Sequence, residues 1–200
     1  MGEQAVPRSL GDKLRGLLIR PDRTMATVAP NLGEGALVVV ALIVTAGGRA
    51  ALEVAYTAGV GDAGLAIAGA AIGITMAWLS LTAALHLIGR ALGGRGSYRT
   101  LLALMGYAAT PMTLTALVST AIYIVSPMLL PNLGGAGWGS VHTLIGWVGM
   151  TWGWPGLLSY YALRHGQRLS RGKAGGTVGA VYILLLLGWF LPMLVPGLFE

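Results

Sequence analysis

The stretch LHLIGRALGGRGSYRTLLALMGYAATPMTLTAL (85–117) decides the fold class. An apolar run enters a short Gly-rich turn carrying Arg90, Arg95 and Arg99, and a second apolar run without a single charge leaves it. Short loops rich in Lys and Arg stay cytoplasmic, so this stretch reads as two membrane helices joined on the inner side. The pattern repeats along the chain. Twelve of the thirteen Lys and Arg fall into three clusters: Arg8, Lys13, Arg15, Arg20 and Arg23; Arg90, Arg95 and Arg99; Arg164, Arg168, Arg171 and Lys173. The intervening stretches 57–64 and 126–140 hold none.

Five apolar segments lie between these markers, near 35–57, 64–89, 100–126, 141–163 and 177–198. Each approaches the ~20 residues that cross a bilayer. Residues 8–20 place Leu10, Leu14, Leu17 and Leu18 at helical spacing, with Arg8, Asp12, Lys13 and Arg15 largely off that stripe. That is an amphipathic helix of the kind that lies in the headgroup plane. Met25 and Val28 continue its membrane-facing side. The expected fold is an all-α integral membrane protein, five transmembrane helices preceded by a short amphipathic interfacial helix. The N-terminus is expected in the cytoplasm and the C-terminus outside. Residues 1–33 form the interfacial segment and 34–200 the transmembrane domain, with no cleavable signal peptide expected.

Composition narrows the function. Of 200 residues, 55% are hydrophobic and 10% charged, against about 25% charged in soluble domains. The +6 net charge is spread over short loops flanking apolar spans, which fits anionic lipid headgroups rather than nucleic acid. Cysteine is absent, which excludes disulfides and thiolate chemistry. His86, His142 and His165 lie at different depths, so spacing assembles no metal site. No H-E-x-x-H, G-x-S-x-G or intramembrane carboxylate pair occurs, and GGRGS (93–97) lacks the spacing of a phosphate loop. Neither catalytic nor metal residues are assigned, no cofactor is expected, and the chain reads as a non-enzyme.

Three groups are candidates for function. Arg49 and Glu53, four apart on one helix face, are the ionisable pair deep in the first span. Arg49 stands roughly 21 Å along the axis from residue 35. The pair is either self-neutralised or part of a polar path. Arg90, Arg95, Arg99, Arg164, Arg168, Arg171 and Lys173 are candidate headgroup contacts. Trp147, Trp152, Trp154, Tyr107 and Pro111 form a packing surface or the wall of a lipid or small-molecule site. The indoles near Pro155 need acceptors, which a proline kink could free. Pro111 and Pro155 are expected to kink their helices. Gly69 with Gly73, and Gly149 with Gly153, read as close packing within the chain, a homo-oligomer being the alternative.

The 85–117 stretch resembles the Yip family of membrane proteins, through Gly93, Gly94, Gly96, Tyr98 and the G-Y-A-x-x-P run Gly106, Tyr107, Ala108 and Pro111. The entry Leu18-Ile19-Arg20-Pro21 through Met25 and Val28 to Pro30 is similar too, as is the fourth span with Trp147 and Ala162. The resemblance implies five transmembrane helices. Eukaryotic members are associated with Rab GTPases, but the brevity and Arg/Ala/Gly-rich composition here resemble a prokaryotic member and argue against a Rab partner. The leading expectation is a multi-pass plasma-membrane protein of the Yip type that organises lipids, chiefly anionic, or membrane protein partners. The alternative is a small transporter, channel or scramblase built on Arg49 and Glu53.

Overall fold

Ser9 starts the first helix by a capping box. Its hydroxyl oxygen accepts from the Asp12 amide at 3.1 Å, and the Asp12 carboxylate accepts from the Ser9 amide in return. The computed structural model describes residues 9–57, 62–125 and 153–194. Helix α1 (Leu10–Ile19) is followed after Arg20 by α2 (Pro21–Thr27), whose proline sits in the first turn where no amide donor is needed. Then come α3 (Leu32–Thr57), α4 (Ala63–Ala91), α5 (Tyr98–Ala108), α6 (Thr110–Val125), α7 (Trp154–Gly166) and α8 (Arg171–Leu194). The described residues contain no strand. Among the described residues, three stretches are long and apolar enough to cross a membrane: Leu32–Tyr56, Ala63–Ala91 and Tyr98–Val125.

The third of these is two helices, not the single kinked span expected. Proline lacks an amide and its ring collides with the carbonyl four residues back. Ahead of Pro111 that carbonyl belongs to Tyr107, and it accepts instead from the Thr110 hydroxyl at 2.6 Å. The chain breaks at Ala109, and Pro111 becomes part of the first turn of α6. Pro155 stands in the first described turn of α7, just after a helical Gly153; the residues before Gly153 lie outside the described ones, and with them the expected kink. The last helix starts at Arg171, six residues before the expected 177, so Arg171 and Lys173 belong to its first turn.

Helix α3 runs parallel to α5 and α6. The register is set by hydrogen bonds from Tyr107 to Glu34, Thr113 to the Val38 carbonyl and Thr120 to the Thr45 carbonyl. The two strata approach closest at a pair of glycines. A Cβ on Gly35 would stand 2.5 Å from the Ala103 carbonyl oxygen, and one on Gly106 2.5 Å from the Gly35 carbonyl oxygen. Side chains are thus removed where two backbones meet. The core gathers Leu85, Leu101, Leu104, Tyr107, Leu158 and Leu163, all 1% exposed or less. Around it, Leu37, Val44, Ile72, Met76, Val118 and Leu184 point outward, an apolar exterior suited to hydrocarbon.

Two expectations change. The stripe of α1 is covered by protein: Leu17 is 1% exposed, Met25 2% and Val28 6%, all in the same core, with Leu10 and Leu14 packed against it. Docking on the helices satisfies these side chains in place of lipid. Lys13, placed off the stripe, is buried as well. The second change concerns glycine: nothing among the described residues comes within 4 Å of a Cβ built on Gly69 or Gly73. They make no close contact there, whereas Gly47, which meets Ala70 and Ile67, does. Gly149 lies outside the described residues, and Gly153 is exposed.

Candidate functional site

The three basic clusters meet at one end of the bundle. The first is tied to the third by Asp22, whose Oδ1 takes the Arg164 guanidinium at 3.0 Å and the His165 Nε2 at 2.7 Å. The second is tied to the third twice: the Arg95 amide donates to the Gln167 carbonyl at 2.9 Å, and Lys173 Nζ to the Leu92 carbonyl at 2.7 Å.

The turn between α4 and α5 makes this possible. Gly93 sits at φ +91°, in the left-handed region that suits glycine, and the Gly94 amide returns to the Gly89 carbonyl at 2.8 Å. Gly96 lies so close to the Gly166 carbonyl that no side chain fits. The turn therefore sits flush on the end of α7. Beneath it the fully buried Gln167 places its Nε2 2.6 Å from His86 Nδ1, and His86 meets Tyr98 edge to face at 5.6 Å. Arg168 links α7 to α8 at φ +56°, a strained position for a branched-free but bulky side chain.

Next to this surface lies a charged triad. Glu34 Oε2 accepts from Lys13 Nζ at 2.6 Å and from the Tyr107 hydroxyl at 2.5 Å. Tyr107 is fully buried, and Lys13 retains 9% side-chain exposure. A buried ammonium needs such a partner. On the opposite side of the linkage, the His165 hydrogen bond holds the Asp22 carboxyl below its ordinary range, and the Arg164 charge adds to this.

The candidate headgroup residues fall into two kinds. Arg90, Arg95, Arg99, Arg168 and Arg171 have exposed side chains, although Arg90 also reaches the Gly94 carbonyl at 3.5 Å. Arg164 and Lys173 are engaged in holding the end together. Arg49 and Glu53 form an ion pair at 3.9 Å within α3, with side chains 35% and 57% exposed. Arg49 Nε is buried and has no hydrogen-bond partner among the described residues.

Three of the five residues of the packing or wall group lie within the described residues. Tyr107 and Pro111 are buried in the α3–α5–α6 packing, and Trp154 packs against the core. The Trp154 Nε1 is buried without a partner among the described residues, and the carbonyl one turn before Pro155 that was expected to accept it lies outside them. Trp147 and Trp152 lie outside the described residues. Trp78, not singled out in the sequence, donates to the Leu102 carbonyl at 3.2 Å where α5 packs.

Glu34 and Asp22 were the functional-end residues missed by sequence reasoning. The available signal was an acidic residue at a span boundary, which a basic loop elsewhere in the chain must neutralise. Among the described residues no group of three His, Asp or Glu is placed to hold a metal ion. A family model, the Yip1 domain, matches residues 15–191. No curated protein and no solved structure matches the chain.

Proposed function

Since the chain belongs to the Yip1-domain family and is a multi-pass membrane protein, we propose that it is a non-enzymatic organiser of anionic lipid at the inner face of a prokaryotic plasma membrane. In this reading five spans cross the bilayer with the N-terminus inside, and membrane protein partners are gathered through the same lipid surface. The observation that carries it is the convergence of all three basic clusters on one end of a bundle with an apolar exterior. Each Lys or Arg near a surface contributes about 1 kcal/mol toward anionic lipid.

Arg168 and Arg171 are the cleanest probes, because both are exposed and neither is in an ion pair among the described residues. The double variant Arg168→Gln/Arg171→Gln is expected to retain fewer anionic lipids in native mass spectrometry, with affinity for the lipids held at these two residues reduced roughly thirtyfold. Its melting temperature should hold. Unchanged lipid number and selectivity would end the proposal.

A second reading has one observation in its favour. The unpartnered Arg49 Nε, together with the Arg49–Glu53 pair inside a span, is the kind of polar group that lines a transport path.

A further inference from the structure

A pocket of about 470 Å³ opens at the basic end, between the segment leading into α3 and the first turn of α5. Its polar lining is Lys13, Asn31, Ser97, Arg99 and Thr100. These residues come from three separated parts of the chain, and the fold explains how they meet. In the parallel register of α3 and α5, Gly35 lies level with Gly106. Tyr98 therefore starts about 12 Å further out, beyond the beginning of α3. The first turn of α5 stands beside the Pro30–Asn31 entry, and α1 closes the third side through Lys13.

From these groups the geometry points to a discrete binding site for a phosphate group at this pocket, with Arg99 as its principal charge. The inference rests on the headgroup-surface reading above and narrows it to one place.

Arg99, Lys13, Asn31 and Thr100 each bring to the walls protons they can donate. Arg99 is exposed and supplies a planar fork that matches phosphate oxygens. Lys13 gives one of its three protons to Glu34 and keeps two. Glu34 neutralises Lys13, so the net positive charge of the pocket comes from Arg99. The Asn31 side-chain oxygen is occupied by the Gly33 amide at 2.9 Å, which leaves its NH2 outward as donor. Ser97 caps α5 by accepting from the Thr100 amide at 3.1 Å and shares a 2.9 Å hydrogen bond with the Thr100 hydroxyl. Ser97 spends its own proton on that bond, so the Thr100 hydroxyl keeps a proton to donate, and the Tyr98 and Arg99 amides have no partner within α5. A carboxylate-free lining of cation, amide and hydroxyl donors selects an anion, and the volume admits a phosphate with its glycerol.

The phosphate could belong to a lipid or to a soluble ester, and one titration separates the two. The full chain in detergent is titrated in native mass spectrometry with phosphatidic acid, phosphatidylglycerol and glycerol 3-phosphate. Variants are Arg99→Gln, Arg99→Lys and Thr100→Val, each checked by its melting temperature. Arg99→Gln should weaken the tightest lipid-binding event about tenfold, as for loss of one charge-assisted contact. Arg99→Lys should recover part of it, and Thr100→Val should weaken it less. Arg168→Gln/Arg171→Gln should reduce the number of lipids retained while leaving that tightest event in place. Displacement of the first lipid by glycerol 3-phosphate supports the phosphate site. Saturable glycerol 3-phosphate binding lost in Arg99→Gln, with no lipid preference, assigns the site to a soluble ester. If Arg99→Gln affects the tightest event no more than Arg168→Gln/Arg171→Gln does, the pocket is overturned and the diffuse surface stands. If no probe binds saturably, the pocket is overturned. If lipid number is unchanged in every variant, the surface reading falls with it.

Discussion

The Tyr107 hydroxyl donates to the Glu34 carboxylate at 2.5 Å, joining α5 to the entrance of α3 while Lys13 closes the same carboxylate from α1. One oxygen therefore holds three segments that are far apart in the chain. Tyr107→Phe removes one donor from a buried contact and is expected to cost about 1–3 kcal/mol. Glu34→Gln should cost more, because it leaves the Lys13 ammonium buried without a counter-charge. Lys13→Met in the Glu34→Gln background should recover part of that loss. Melting temperatures of the four proteins in one detergent decide the order.

The glycines divide into two classes that substitution will separate. Gly35→Ala or Gly106→Ala would press a methyl group into the facing backbone, where no side chain can give way. A loss of about 1–3 kcal/mol or more is expected. Gly69→Ala and Gly73→Ala meet nothing among the described residues and should change stability by less than about 1 kcal/mol, if anything upward, since alanine is the better helix former. Equal losses at all four positions would show that Gly69 and Gly73 are covered, either by a second copy or by residues of this chain outside the described ones.

Acid should loosen the α1–α2 unit from α7. Asp22 has a folded pKa below its ordinary value, with the His165 hydrogen bond as the main cause. A carboxyl with a depressed folded pKa contributes stability above the unfolded pKa, and that contribution is lost as pH falls through the folded value. The linkage should hold at neutral pH and weaken below about pH 4. Hydrogen exchange in residues 21–27, followed from pH 7 to pH 3 and divided by the intrinsic rate, which itself slows in acid, should accelerate at the acid end. In Asp22→Asn it should already be fast at pH 7 and change little on acidification.

The lipid-organising reading expects liposomes containing the protein to pass no more ion or lipid than empty ones. Dye-quench and ion-flux assays measure this. Flux above the empty vesicles that disappears in Arg49→Gln would replace that reading by the polar path.

Relieving the backbone at Arg168 offers a check on the turn between α7 and α8. Glycine accepts φ +56° without strain. Arg168→Gly should therefore raise the melting temperature slightly, by the equivalent of about 1 kcal/mol, while removing one surface charge.

The sequence alone determined that the chain is a helical membrane protein, because low charge and alternating basic clusters are statements about solvent that need no coordinates. It also determined the Yip resemblance, the basic turn at 93–97 and the Arg49–Glu53 spacing, since each is a local pattern. Only the tertiary structure decided where the amphipathic stripe of α1 goes: Leu17, Met25 and Val28 face protein, although a stripe reads the same whether lipid or protein covers it. Tertiary structure alone also joined Lys13, Glu34 and Tyr107, and Asp22 with Arg164 and His165, across separations of up to 143 residues. No periodicity encodes such pairs. Glu34 and Tyr107 meet because Gly35 and Gly106 permit a parallel packing of α3 on α5, and the buried Lys13 must find a counter-charge; Asp22 meets Arg164 and His165 because α2 docks on α7.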